Sequence, residues 1–320
     1  MGNLSERSRI VAAFATIYFL WGSTYYAILV GLETLPPFSL AAVRLMTAAI
    51  LIAAIAWFRE RRFDVNWKRA AFLGVLFFPL GQGIVTWSEV WLPSGTVALL
   101  ISTIPIWIAI LGWLGGEIPE SPRAVIAGLV IGLIGVILLT DPPAAVTGNK
   151  GSTMHVVIAI GAALSWSVGT ILSRKIPASR SLLASASSEM FIGSLVLFAM
   201  ARMSGERIVL ESVSVRSIAA IGYLVLFGSL IAFLSYTWLL GRVPAYRVAS
   251  YAYVNPLVAV IFGWLFAGER LTTEVLGASV LIITSVALVV LKTAPRAGAT
   301  RPTGLGCDPP DLAEASAAID

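Results

Sequence analysis

Two ionisable side chains, Arg44 and Glu189, fall well inside long apolar stretches of this 320-residue chain, and Glu89 lies near the end of another. A charge at the centre of a bilayer costs about 2.5–3.5 kcal/mol on insertion scales, so such groups are expected to be paired or functional. A carboxylate in a low-dielectric cavity can exchange a proton as its access alternates, or pair with a cationic solute. Glu189 is therefore the candidate for proton or cation coupling. Arg44 reads equally as an arginine that snorkels outward or bonds helix-end carbonyls.

Aromatic residues supply the next candidates. Trp21, Tyr25, Trp166, Tyr236 and Tyr251 suit a cavity that holds amphipathic or aromatic solutes by stacking and hydroxyl bonds. Trp and Tyr also mark membrane interfaces, the reading that fits Trp57, Trp67 and Trp91 near stretch ends. Pro105 and Pro256 interrupt apolar stretches, each removing a backbone donor and freeing a carbonyl, as a gating kink or a structural one. Asn255, beside Pro256, offers an amide to a solute or to that freed backbone.

Other chemistries lack their residues. The five aspartates, Asp64, Asp141, Asp308, Asp311 and Asp320, lie in expected loops or the tail. His155 is the only histidine and Cys307, in a polar tail, the only cysteine. Paired membrane aspartates, a metal-ligand set and a nucleophile with its base are all missing, which argues against an intramembrane enzyme. No phosphate-binding loop supports direct ATP coupling, and no charged ring or filter-like loop supports a channel. No metal or cofactor is expected.

The elements that must position these residues follow from composition. The chain is 58% hydrophobic and 12% charged, against about 45–50% and about 25% in soluble domains. The excess lies in runs near the roughly 20 residues that span a bilayer. Ten spans are expected, at about 10–30, 38–58, 70–90, 94–114, 123–140, 154–174, 182–201, 217–240, 244–266 and 272–291. The first is too long for a signal-peptide core and is followed by further spans, so it reads as a helix rather than a cleaved leader. Turn signals at Pro36-Pro37, Pro93-Ser94-Gly95, Asp141-Pro142-Pro143 and Gly148-Asn149 punctuate the runs, and the tail from about Thr293 reads as disordered.

The net charge of +5 sits in short loops, where it orients the protein rather than attracting nucleic acid. With both termini inside, 16 Lys and Arg fall in inner segments and 5 in outer ones. The cytoplasmic placement of both termini is thereby expected.

The two halves of the chain also match each other. Trp21 aligns with Trp166, and Ala41-Ala42-Val43-Arg44 with Ala186-Ser187-Ser188-Glu189, both at an offset of 145. Pro105 falls on Pro256 and Gly116-Glu117 on Gly268-Glu269, at 151 and 152. Five spans per half is an odd number, so the second half enters the membrane inverted. Inverted repeats recur in secondary transporters, with the substrate near the midplane where the halves meet. The expected fold is thus all-α, with ten transmembrane helices in two inverted five-helix repeats, residues 1–146 and 147–292, and a cytoplasmic tail at 293–320. Repeat equivalence tempts one to pair Arg44 with Glu189. Each, however, lies six or seven residues, about 10 Å, from its own helix start, on opposite faces of a core about 30 Å thick. Direct pairing is not the default.

At Trp21-Gly22-Ser23-Thr24-Tyr25, Pro36-Pro37, Val43-Arg44, Pro93-Ser94-Gly95, Gly222-Tyr223-Leu224, Ser250-Tyr251-Ala252-Tyr253-Val254-Asn255-Pro256 and Gly268-Glu269 the chain resembles the EamA-type family of the drug/metabolite transporter superfamily, and its YedA-like exporters in particular. The resemblance runs over roughly residues 10–292 and implies a ten-helix fold with a central cavity. It further implies export of amino acids, related metabolites or drugs across the bacterial inner membrane. A metabolite importer or exchanger is the alternative. The partners expected are a small-molecule solute, the lipid bilayer and a coupled proton.

Overall fold

The computed structural model describes residues 5–60, 64–92, 94–116, 121–140, 153–177, 179, 181–267 and 273–291. They form α1 (Glu6–Leu32), α2 (Pro37–Glu60), α3 (Trp67–Trp91), α4 (Ser94–Ile101), α5 (Ile104–Leu114) and α6 (Pro122–Thr140). The second half supplies α7 (Thr153–Lys175), α8 (Leu182–Met203), α9 (Val215–Leu240), α10 (Ala245–Val248), α11 (Tyr251–Ala267) and α12 (Thr273–Leu291). No strand occurs among the described residues. Seven helices are long and apolar enough to cross a membrane: α1, α2, α3, the α4–α5 run from Val97 to Leu114, α7, α8 and α9. Shorter apolar stretches run through α6 and α12. Pro93, Glu117, Asp141-Pro142-Pro143, Gly148-Asn149, Gly268-Glu269 and the tail with Cys307 lie outside the described residues.

Local sequence explains where the helices start. Asn66, Ser181 and Ser214 accept hydrogen bonds from the amides of Arg69, Ala184 and Ser217, capping α3, α8 and α9. Pro37 and Pro122 open α2 and α6, where a missing N–H has no partner to lose. The cap of α2 comes from far away in sequence. Gly205 adopts φ 74°, a left-handed conformation that glycine takes without penalty, and so ends α8. The next residue, Glu206, then swings its carboxylate onto α2, accepting from Phe38 N (3.0 Å), Ser39 N (2.8 Å) and Ser39 Oγ (2.7 Å). A carboxylate is the favoured group at a helix N-terminus.

Two long helices widen midway. In α3, Pro79 has no N–H to return to Val75, and Phe78–Gly83 is a π segment. In α9 the π segment is Leu224–Ile231. Two other expected spans are not single helices. The run 94–114 breaks at Ser102-Thr103, and 244–266 breaks at Ala249-Ser250. Pro256 lies inside α11 beyond its break, while Pro105 begins α5 directly after its own. The carbonyl that Pro256 cannot serve, that of Ala252, accepts instead from Ser102 Oγ at 2.9 Å. One broken helix thereby fills the bonding gap of the other.

The heaviest packing is between α2 and α8 and between α6 and α12. At the second seam Gly128, Gly132 and Gly135 let α6 approach so closely that a Cβ would meet Val289, Ser285 or Ile282 of α12. Ser285 Oγ donates to Gly128 O at 2.7 Å. This is the small-residue contact that drives helix association in lipid. α1 packs on α9 and α11, while α7 packs on α3 and α5. Likewise α3 packs on α8, and α9 on α2.

Candidate functional site

α1 and α7 meet through their tryptophans. The rings of Trp21 and Trp166 stand edge to face, 5.6 Å apart, and Trp21 makes a second such contact with Tyr251 at 4.7 Å. Phe77 closes on Trp166 from α3 at 4.9 Å. Quadrupole-favoured contacts of this kind hold the rings in fixed orientation. The Trp21 indole N–H donates to Gly228 O at 3.0 Å, a carbonyl in the π segment of α9. Tyr236 stands behind this wall, fully buried, its hydroxyl bonded to Thr170 Oγ1.

On the wall opens a cavity of about 580 Å3, its mouth included. α1 contributes Trp21, Thr24 and Tyr25; α7 contributes Trp166; α11 contributes Tyr251 and Asn255. From α3 come Gln82, Val85 and Thr86. Arg44 reaches it from α2, buried at 4% exposure. Its Nε donates to Ser229 Oγ at 2.8 Å, and a Cβ on Gly228 would stand 2.9 Å from its guanidinium. The π segment of α9 thus presents one oxygen to Trp21 and the next residue's to Arg44. Two acceptors in the lining have no partner: Asn255 Oδ1 and Gln82 Oε1 are buried and unbonded. Asn255, expected to serve a solute or the freed backbone, does not bond the Ala252 carbonyl, which Ser102 holds.

Glu189 is elsewhere. Its Oε1 accepts from Arg69 Nε at 3.1 Å. Arg69 Nη1 also donates to the carbonyls of Ser173 and Ile176 at the end of α7. Arg44 and Glu189 therefore have separate partners. Arg69, counted with the loop charges in the sequence, is instead the third residue of α3 and is buried. Its nearness to the Asn66 cap is the only mark of that place in the sequence. Gln82 and Thr86 carry one mark in the sequence, their spacing of seven and three residues before Glu89. His155 stacks on both Trp87 and Trp91, at 5.3 Å and 4.9 Å. Trp57, Trp67 and Trp91 are exposed.

The arrangement combines aromatic faces, one guanidinium and two amide acceptors in a small open-mouthed cavity. Such a site can hold a small amphipathic solute by its apolar body and its polar ends.

The described geometry has relatives. The EamA-like transporter family pattern matches residues 8–141 and 153–291. The chain is 34% identical to the "Uncharacterized inner membrane transporter YedA" of Escherichia coli K12, over 88% of this chain and 90% of that protein. It is 26% identical to the "Uncharacterized transporter YvbV" of Bacillus subtilis, over 90% and 93%. A "Probable amino-acid metabolite efflux pump" of Escherichia coli K12 is 25% identical, over 88% and 94%. A solved crystal structure superposes with a TM-score of 0.72 at 20% identity, covering 90% of this chain and 98% of its own. That last likeness concerns the fold.

Proposed function

The chain belongs to the EamA-like transporter family and is a multi-pass membrane transporter of small molecules, and from that premise we propose that it exports amino acids, related metabolites or drugs across the inner membrane by alternating access. The observation that carries this reading is the cavity walled by Trp21 and Trp166, equivalent residues of the two halves.

The architecture proposed with it is ten spans in two inverted halves, residues 1–146 and 147–292, with both termini and the tail at 293–320 in the cytoplasm. Support comes from the main packing partnerships: α1 on α9 and α11 is matched by α7 on α3 and α5, and α3 on α8 by α9 on α2. The two π segments, at 78–83 and 224–231, and the two helix breaks, at 102–103 and 249–250, fall at matching places. The loop charges, 16 inside against 5 outside, support the orientation. Pro105 and Pro256, close to the breaks, act in gating. Glu189, held by Arg69 near the end of α7, couples transport to a proton.

Overexpressing cells challenged with a panel of toxic amino acids and drugs, and proteoliposomes loaded at set pH gradients, test the reading together. Resistance with outward movement of at least one solute is expected. If no resistance appears and no solute moves, the assignment as an exporter fails.

A further inference from the structure

Glu89 is used by none of this. It is buried at 7% exposure, and neither carboxylate oxygen has a hydrogen-bond partner. It lies in the regular α-helical turn of α3 beyond the π segment, four residues from Val85 and three from Thr86. Residues at those spacings share one face of a helix, and both of these line the cavity, which ends one turn short of the buried Glu89 itself. From α1, Tyr25 lines the same cavity. Arg69 pairs with Glu189 and Arg216 with Glu33, and no ion pair or hydrogen bond to the Glu89 carboxylate occurs among the described residues. Arg44, on another wall, is turned to Ser229.

An enclosed carboxylate without donors is costly as the anion unless a cation joins it, and otherwise carries a proton. A divalent metal would need further ligands, and no cluster of three or more metal-binding side chains occurs among the described residues. The neighbouring surfaces are aromatic, and aromatic faces attract organic cations. The two unbonded amide oxygens, of Gln82 and Asn255, add acceptors for N–H groups. We propose that Glu89 is the counter-charge for the ammonium group of a solute, so that the cavity selects small primary amines carried on an apolar or aromatic body. This rests on the cavity being where the transported solute binds.

The test uses the full chain in nanodiscs with two probes of one shape, phenethylamine and the uncharged 2-phenylethanol. Phenethylamine should bind at least tenfold more tightly than the alcohol, and Glu89→Gln should abolish that preference while leaving the alcohol's affinity within twofold. Should Glu89→Gln fail to fold, carbodiimide labelling of the wild-type protein is read by mass spectrometry instead. Phenethylamine should protect Glu89 and leave the Arg69-paired Glu189 unaffected. Equal affinity for the two probes, an unchanged preference in Glu89→Gln, or labelling of Glu89 indifferent to the amine overturns the proposal. Amine binding through Glu89 without any transport in proteoliposomes would sink the exporter reading and leave this site standing. Transport of a solute unaffected by Glu89→Gln would do the reverse.

Discussion

At the scale of single residues, the buried pair of Arg69 and Glu189 is the contact on which most depends. Removing one partner leaves the other charge uncompensated, at a cost of about 3–5 kcal/mol. Glu189→Ala is therefore expected to lower thermal stability in detergent sharply, and Arg69→Leu in the same chain to recover much of the loss. Glu189→Gln keeps the shape and removes the titratable proton, so transport by it should lose its dependence on pH. Unchanged rate and pH profile would end the coupling role. The pair also shows why residue partnerships are hard to read along a chain. Arg69 and Glu189 are 120 positions apart, and Arg69 sits among loop charges that look alike. Trp21 and Trp166, by contrast, were legible, since both carry the same residue type at equivalent places in the two halves.

At the scale of elements, the joint between α4–α5 and α11 is the distinctive device. Pro256 denies Ala252 its helical partner, and Ser102, at the break of the other helix, supplies a hydroxyl. Ser102→Ala should strand a buried carbonyl and cost about 1–3 kcal/mol. In a Pro256→Ala background the helical N–H returns to Ala252, and the same Ser102→Ala change should cost less than half as much. A double-mutant cycle read by thermal unfolding checks this, and additive effects would refute the joint. The prolines were legible as interruptions. The place of each break was not, because it depends on which side chains reach the freed backbone across the helix interface. The cap of α2 by Glu206 escaped for the same reason, its donors lying 167 and 168 residues away.

At the scale of the whole molecule, hydropathy and loop charge speak to orientation. Cys307 is the single cysteine and falls in the expected cytoplasmic tail, which makes it a natural reporter. A membrane-impermeant maleimide should label it only after cells are permeabilised. Labelling of intact cells would place the C-terminus outside and reverse the orientation. The helical, membrane-spanning class was legible from composition alone, because lipid demands long apolar runs with internally satisfied backbones. Closeness of approach was not: the seam of α6 and α12 depends on what faces Gly128, Gly132 and Gly135, which no single helix reveals.

The edge-to-face meeting of Trp21 and Trp166 has an optical consequence. Two indoles held at 84° in a chiral protein setting are expected to contribute a near-ultraviolet circular dichroism signal. A solute that settles against them alters that signal, so the protein carries a label-free gauge of its own occupancy.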